Sequence, residues 1–186
     1  MSPPRTWRAS ANARDMNDDF ETAKRKVLAP IFFEAGAALF DCQAFENAIA
    51  YFLFLLSRMG ESALDPARCA AILDGEEKKT AGQLIVMLRN RVTLSEGLEE
   101  ALTKALIARN RLIHWYLLEN VELMMEVGQH ERLVKEIGGL RSEVRRSQRQ
   151  LAPFIKAFAE TLDGISPDAW ATEAKSKFLR AVREHQ

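Results

Sequence analysis

Four side chains that could carry out chemistry lie in one short segment, 109–116: Arg109, Asn110, His114 and Tyr116. In a helix, Asn110 and His114 share a face one turn apart, and Arg109 and Tyr116 share a neighbouring stripe. We therefore expect a guanidinium, an amide, an imidazole and a phenol to converge on one groove. Arginine is suited to bidentate contact with phosphate, and histidine exchanges protons near neutral pH. Such a pair could cleave RNA without a metal, because the imidazole would help to deprotonate a ribose 2′-hydroxyl while the arginine stabilises the phosphorane. Each role is worth about two to four powers of ten in rate.

The order of these residues resembles the Arg-x4-His motif of the HEPN superfamily, small all-helical proteins that include many prokaryotic RNases and toxins. Arg109 then corresponds to the phosphate-binding arginine, His114 to the catalytic histidine, and Asn110 to the polar residue that typically follows the arginine. One branch extends the motif to Arg-x4-His-x-Tyr, which Tyr116 completes. In that branch the tyrosine is adenylylated by a partner nucleotidyltransferase antitoxin. The resemblance covers roughly 25–160 and implies an RNA substrate, a homodimer with the site at its two-fold interface, and an antitoxin of that class.

Other interpretations of the same segment stay open. His114 lies beside Ile113 and Trp115, and a histidine on such a face is often a hydrogen-bonded core residue. Arg109 could simply pair with an acid such as Glu46 or Glu119. A noncatalytic HEPN-like module would use the same groove to bind a protein partner or a nucleotide, and the motif could also be coincidental.

A second polar signal stands inside the most apolar stretch of the chain, at Gln43 and Glu46. A buried carboxylate is costly unless it is paired. Glu46 is therefore a candidate partner that orients Arg109 or His114 across the groove. The alternative is that Glu46 lies on a solvated stripe with Asp41 and Gln43.

Arginines recur every four residues at Arg141, Arg145 and Arg149. Such a helical stripe can follow a phosphate backbone, and we predict it as an RNA-binding surface. Interspersed glutamates and the lack of nearby aromatic residues for base stacking favour a solvated face instead. A DNA-binding or structural role for this stripe is a further hypothesis.

The composition predicts an all-α fold. The chain has 186 residues but only 9 Gly and 6 Pro, so its elements must be long, and strong helix formers are plentiful. We expect an HEPN-like bundle of about five or six helices, with a flexible tail at 1–16, the bundle at 17–165 and a C-terminal helix within 166–186. Helices are predicted at about 17–28, 31–59, 66–73, 81–90, 94–127, 130–161 and 166–183, with a break or a kink at Pro30 between the first two.

The net charge of the chain and the absence of certain motifs exclude several classes of function. With 26 basic and 26 acidic residues the chain has no basic excess, so nucleic-acid binding requires a local patch. The histidines and cysteines lack zinc-site spacing and there is no Gly-rich phosphate loop, so we expect no metal and no cofactor. No uninterrupted apolar run reaches membrane-spanning length, which predicts a cytoplasmic protein, and Cys42 and Cys69 are expected to be buried thiols. The predicted function is a metal-independent endoribonuclease of a toxin–antitoxin or defence type, with the noncatalytic module as the alternative.

Overall fold

The computed structural model describes residues 6–60 and 64–163 together with Thr172 and Ser176, with side chains from Asp18 onward. The predicted all-α class is confirmed, and no strand occurs in this part of the chain. The helices are α1 (Thr6–Arg58), α2 (Pro66–Leu73), α3 (Ala81–Arg89), α4 (Glu96–His114), α5 (Tyr116–Glu119), α6 (Val121–Met124) and α7 (His130–Asp163), with a 3-10 turn at Val127–Gln129.

Helix α1 is one continuous element of 53 residues, so a break at Pro30 is wrong, whereas a kink there stays a prediction. Proline inside a helix has no N–H to donate and costs about 3 kcal/mol or more. Leu28 and Ile31, on either side of it, are both buried in the same cluster with Leu133 and Ile137 of α7. This packing holds the helix together across the proline. The backbone is helical from Thr6, so α1 also begins earlier than the pattern predicts.

The helix predicted over 94–127 is divided, and the motif stands at its first break. Helix α4 ends at His114, and Trp115 leaves the helical region with φ −129° and ψ −38°. Beyond it, the Asn120 side chain donates to the carbonyl of Tyr116 at 2.7 Å. Asparagine bonds of this kind compete with the helical ladder and favour turns. His114 therefore lies at a helix C-terminus and not, as the pattern predicts, in the middle of a helix.

Helices α1, α4 and α7 form the centre of the bundle. The larger core cluster joins α1 residues such as Phe45 and Ile49 to Leu102 of α4 and Leu151 of α7. Along α1 and α7, Arg141 bonds to Glu34 while Phe158 packs edge-on against Phe52, 5.6 Å between centroids. The two helices therefore run in the same direction. Helices α2 and α3 cover the C-terminal half of α1, each opened by a side-chain cap at Asp65 and Thr80 respectively.

The middle of α1 carries apolar side chains that this single chain leaves in solvent. Phe33 is 77% exposed and Phe40 69%. By length and composition the stretch 18–58 could cross a membrane, and 22% of its most apolar window is buried in the protein; core helices of soluble proteins and signal sequences meet the same criterion. Charged residues such as Glu34 and Asp41 interrupt this stretch, so the absence of an uninterrupted apolar run of spanning length is not contradicted. The cytoplasmic location stays a prediction.

Two further expectations concern the termini and the cysteines. The predicted C-terminal helix lies outside the described residues except for Thr172 and Ser176, which are both helical, and the division of the chain at 16 and 165 stays a prediction. Cys42 and Cys69 are buried free thiols, as expected.

Candidate functional site

Arg109 is the centre of a small polar network at the end of α4. Its Nε donates to Glu46 Oε1 of α1 at 2.6 Å, and its Nη1 donates to the Asn110 side-chain oxygen at 3.1 Å. The same Nη1 lies 3.3 Å from Nε2 of His114. The structure thus brings together the three predicted motif residues and selects the pairing of Glu46 with Arg109 over a solvated Glu46.

The contact between Arg109 and His114 has only one possible hydrogen-bond direction. A guanidinium has five N–H donors and no acceptor. In a hydrogen bond between these atoms, Nη1 therefore donates and the Nε2 lone pair accepts.

The network faces solvent and contains N–H groups that are not engaged in hydrogen bonds with any residue that the structure describes. Asn110 and His114 are exposed, while the Arg109 side chain is 16% exposed. Among the described residues the Nη2 protons of Arg109 and the side-chain amide N–H groups of Asn110 have no acceptor. An anionic group that approaches this end of α4 thus meets up to four N–H donors beside an imidazole lone pair.

Glu46 fixes the guanidinium from the other helix. The Arg109–Glu46 bond joins positions 63 residues apart in the sequence and is only partly solvated, with the Glu46 side chain 26% exposed. Charge-assisted hydrogen bonds in such places are stronger and more directional than those between neutral groups. Cys42 lies one turn before Glu46 in α1; burial raises the pKa of its thiol to about 11, so the group stays protonated.

Tyr116 does not join this network, and the expectation that its phenol converges on the groove is wrong. Its side chain is 1% exposed, and its hydroxyl lies 3.2 Å from the carbonyl of Leu133 and 3.1 Å from Oε2 of Glu136, both on α7. Burial, and then the neighbouring Glu136 carboxylate, raise the pKa of the phenol to about 12. The break at Trp115 turns the ring inward, because the residues after it no longer follow the face of α4.

The three arginines of the predicted stripe on α7 differ in their contacts and in their exposure. Arg141 forms ion pairs with both Glu34 and Asp41 of α1, and Arg145 lies 4.0 Å from Asp41. Arg149 is exposed. Arg141 is held in ion pairs that join α1 and α7. Of the predicted RNA-binding stripe, Arg145 and Arg149 are therefore the residues exposed to solvent.

Two features beside the network were not predicted. Trp115, which directly follows His114, is 60% exposed; its place within the motif segment was the only sequence signal. An apolar cavity of about 350 Å³ opens between α1 and the α4–α5 junction, with Phe32, Leu39 and Ile113 in its walls. The described residues contain no group of three His, Cys, Asp or Glu side chains that could hold a metal ion.

No family model matches the chain, and searches of curated proteins and of solved structures found no similar protein. The resemblance to HEPN proteins therefore depends on the residues of the motif and on the all-α class.

Proposed function

We propose that this protein is a metal-independent endoribonuclease of the HEPN type, acting as a homodimer in the cytoplasm in a toxin–antitoxin or defence role. The observation that carries the proposal is the contact of 3.3 Å between the guanidinium of Arg109 and the imidazole of His114 on a solvent-facing helix end. Asn110 and Glu46 hold the guanidinium in place on either side.

In the proposed reaction, a phosphodiester of RNA binds to Nη2 of Arg109 and displaces its Nη1 contact with His114. The freed Nε2 takes the proton of the neighbouring ribose 2′-hydroxyl. The 2′ oxygen then bonds to phosphorus, the bond from phosphorus to the 5′ oxygen breaks, and the departing oxygen takes a proton from the imidazolium of His114 in a second copy. The proton that the first His114 gained returns to water. The products are a 2′,3′-cyclic phosphate and a 5′-hydroxyl. Arg109 stabilises the charge that develops on the phosphorane oxygens.

Two features support a homodimer: the geometry of the reaction and the exposed apolar side chains. An in-line displacement places the entering and leaving oxygens on opposite sides of phosphorus, so a second imidazole from another copy is suited to protonate the leaving oxygen. The apolar side chains of α1, including Phe33 and Phe40, are exposed, and so are Leu118 and Met125 beyond the motif. Exposed apolar surface of this extent marks a protein interface in soluble proteins.

Proposed regulation by a nucleotidyltransferase antitoxin has a structural requirement. Because the Tyr116 hydroxyl is bonded to α7 and buried, adenylylation requires α5 to move away from α7 first. We also propose that the exposed Arg145 and Arg149 guide RNA toward the site. Their contribution to RNA affinity should fall as the salt concentration rises.

The second candidate is a noncatalytic module that binds a protein partner or a nucleotide. The observation that favours it is the closed arrangement of Arg109, whose Nη1 occupies the lone pair of His114 that a base would need. The apolar cavity between α1 and α4 supplies a place for an apolar group beside this network.

The two candidates are separated by incubating purified protein with total RNA in EDTA. We expect cleavage by the wild type and by an Arg91→Ala control, which removes an exposed arginine after α3. Arg109→Ala and His114→Ala should each lose the activity. Equal RNA loss with all four proteins would identify a contaminant, and no cleavage by the folded wild type would favour the noncatalytic module.

A further inference from the structure

We infer that Trp115 is a stacking platform for an unpaired nucleobase of the RNA that the site binds. The inference deepens the proposed function, and rests on it for the identity of the ligand as RNA. It assigns the substrate class as single-stranded RNA, or an unpaired loop within a folded RNA.

The position of Trp115 is set by the end of α4. Its N–H still donates to the carbonyl of Arg111 at 3.0 Å, so its backbone is tied to the last helical turn. Its φ of −129° and ψ of −38° then take the chain out of the helix. The indole is 60% exposed and directly follows His114 in the sequence. A large aromatic side chain on a fixed backbone is well suited to contact a flat ligand.

Arginines in the last turns of α4 favour a nucleotide over a purely apolar ligand. Arg109 lies next to His114, and Arg111 is held with its guanidinium 5.6 Å from the ring centre of Tyr116. Arg111 lies 3.7 Å from Glu119, and both of these side chains are about half exposed, so this ion pair is weak. Arg109 pairs with Glu46 through Nε, which leaves Nη2 for a phosphate. Proteins bind single-stranded nucleic acid by combining such basic groups with exposed aromatic rings. Here the phosphate would lie at Arg109 and the adjoining base on Trp115.

The stacked base must be unpaired. Within a duplex the faces of the bases are covered by their neighbours, so a tryptophan side chain can reach a face only in a single strand, a loop or a bulge. A second copy of this chain is the competing occupant, because the exposed Leu118 continues the apolar surface beyond Trp115. Of the five residues that precede Trp115, however, the three exposed ones are all polar: Asn110, Arg111 and His114.

The test uses the full chain with His114→Ala, so that binding is measured without cleavage, and with Trp7 and Trp170 replaced by phenylalanine, so that Trp115 is the sole tryptophan. The probe is a short single-stranded oligonucleotide, 2′-O-methylated throughout, and its duplex is the comparison. We expect the single strand to quench Trp115 emission and the duplex to quench it less. In the His114→Ala chain, Trp115→Ala should weaken binding, measured by the fluorescence anisotropy of the end-labelled oligonucleotide, about 5- to 150-fold, the range that corresponds to loss of one stacked base.

Matched variants keep the test independent of folding. Trp115→Phe should retain most of the affinity because a ring remains, and Val86→Ala, at an exposed apolar position of α3, should bind as the parent does. Equal affinity of Trp115→Ala and the parent, or emission that changes with protein dilution but not with RNA, would overturn the inference; the second result would show that another copy covers the indole. RNA cleavage by the wild type together with unchanged binding by Trp115→Ala would refute the stacking site alone, and stacking without any cleavage by the wild type would refute the nuclease alone.

Discussion

Replacement of Tyr116 by phenylalanine tests the inward orientation of the motif's last residue. The ring is 1% exposed and its hydroxyl lies within hydrogen-bond distance of the Leu133 carbonyl and of Glu136. One hydroxyl carries one proton, so it donates to one of these acceptors at a time. The variant therefore loses a single hydrogen bond and keeps the packing of the ring.

The magnitude follows from the two acceptors. A hydrogen bond to a neutral carbonyl contributes about 0.5–1.5 kcal/mol, and one to a charged group about 1.5–3 kcal/mol. Glu136 keeps its bond to Arg132 in the variant, at 2.8 Å, so its carboxylate is not left without a donor. We expect Tyr116→Phe to lower the free energy of unfolding by about 1–2 kcal/mol. Tyr116→Ala should cost about 3–5 kcal/mol, since it also leaves a cavity.

Urea unfolding followed by circular dichroism measures both values, with Tyr51→Phe as the matched control. Tyr51 is the only other tyrosine, and its ring stacks on Phe54, 6.4 Å between centroids, in a partly exposed position. A Tyr116→Phe chain as stable as the wild type would refute the buried hydrogen bond. Equal losses for Tyr116→Ala and Tyr116→Phe would refute burial of the ring.

Alkaline titration of the same residue supplies an independent check. In the Tyr51→Phe chain Tyr116 is the sole tyrosine, so its ionisation can be followed by absorbance. Because burial raises the pKa of the folded phenol to about 12, the stabilisation linked to it is present below pH 10 and is lost as the pH rises from about 10 to about 12. Ionisation near pH 10 in the folded chain would contradict the buried position.

Four other perturbations have defined outcomes. His114→Ala should leave the melting temperature within about 2 °C of the wild type in calorimetry, because the side chain is exposed at a helix end. Glu46→Ala should lower the free energy of unfolding by about 1–2 kcal/mol and reduce RNA cleavage, because Arg109 loses the carboxylate on its Nε. Arg141→Ala should cost about 1–2 kcal/mol in urea unfolding, since it removes both ion pairs between α7 and α1. Glu77→Gln should flatten the acid side of the stability profile: hydrogen bonds from Arg68 and then Lys79 lower the pKa of this carboxyl to about 2, so its stabilisation is present above pH 4.5 and is lost as the pH falls toward 2.

Two of these perturbations have a matched control, and the other two have an outcome that would contradict them. Arg149→Ala, an exposed position on the same helix, should change stability by less than about 0.5 kcal/mol, and Glu46→Gln should lie between wild type and Glu46→Ala because it keeps an acceptor. Unfolding of His114→Ala at ambient temperature would identify His114 as a core residue. An unchanged acid profile in Glu77→Gln would contradict the ion pairs of Glu77.

The part of the site that follows from helical spacing could be predicted. Asn110 and His114 are four residues apart, so helical spacing places them on one face of α4. The contacts of both with Arg109 depend on how its side chain is held, which spacing does not fix. Glu46 was identifiable as a candidate partner because a carboxylate in an apolar helix requires one. The sequence alone does not decide whether Glu46 pairs with Arg109 or faces solvent, because that depends on how α1 packs against α4.

The failures share one physical cause, tertiary contacts that override a local pattern. Pro30 predicts a break, but burial on both sides keeps α1 continuous. Tyr116 was placed on the face of α4 because nothing in the pattern marks Trp115 as the end of that helix. Arg141 looked like a free cation because its partners on α1 are about 100 residues away in the sequence.

The central claim is that Arg109 and His114 together cleave RNA through its 2′-hydroxyl. The most direct measurement is mass spectrometry of the product ends from a defined RNA incubated in EDTA with the wild type and with His114→Ala. The account predicts 2′,3′-cyclic phosphate and 5′-hydroxyl ends from the wild type and intact RNA from the variant. Products with 5′-phosphate ends, or the same cleavage by His114→Ala, would contradict it.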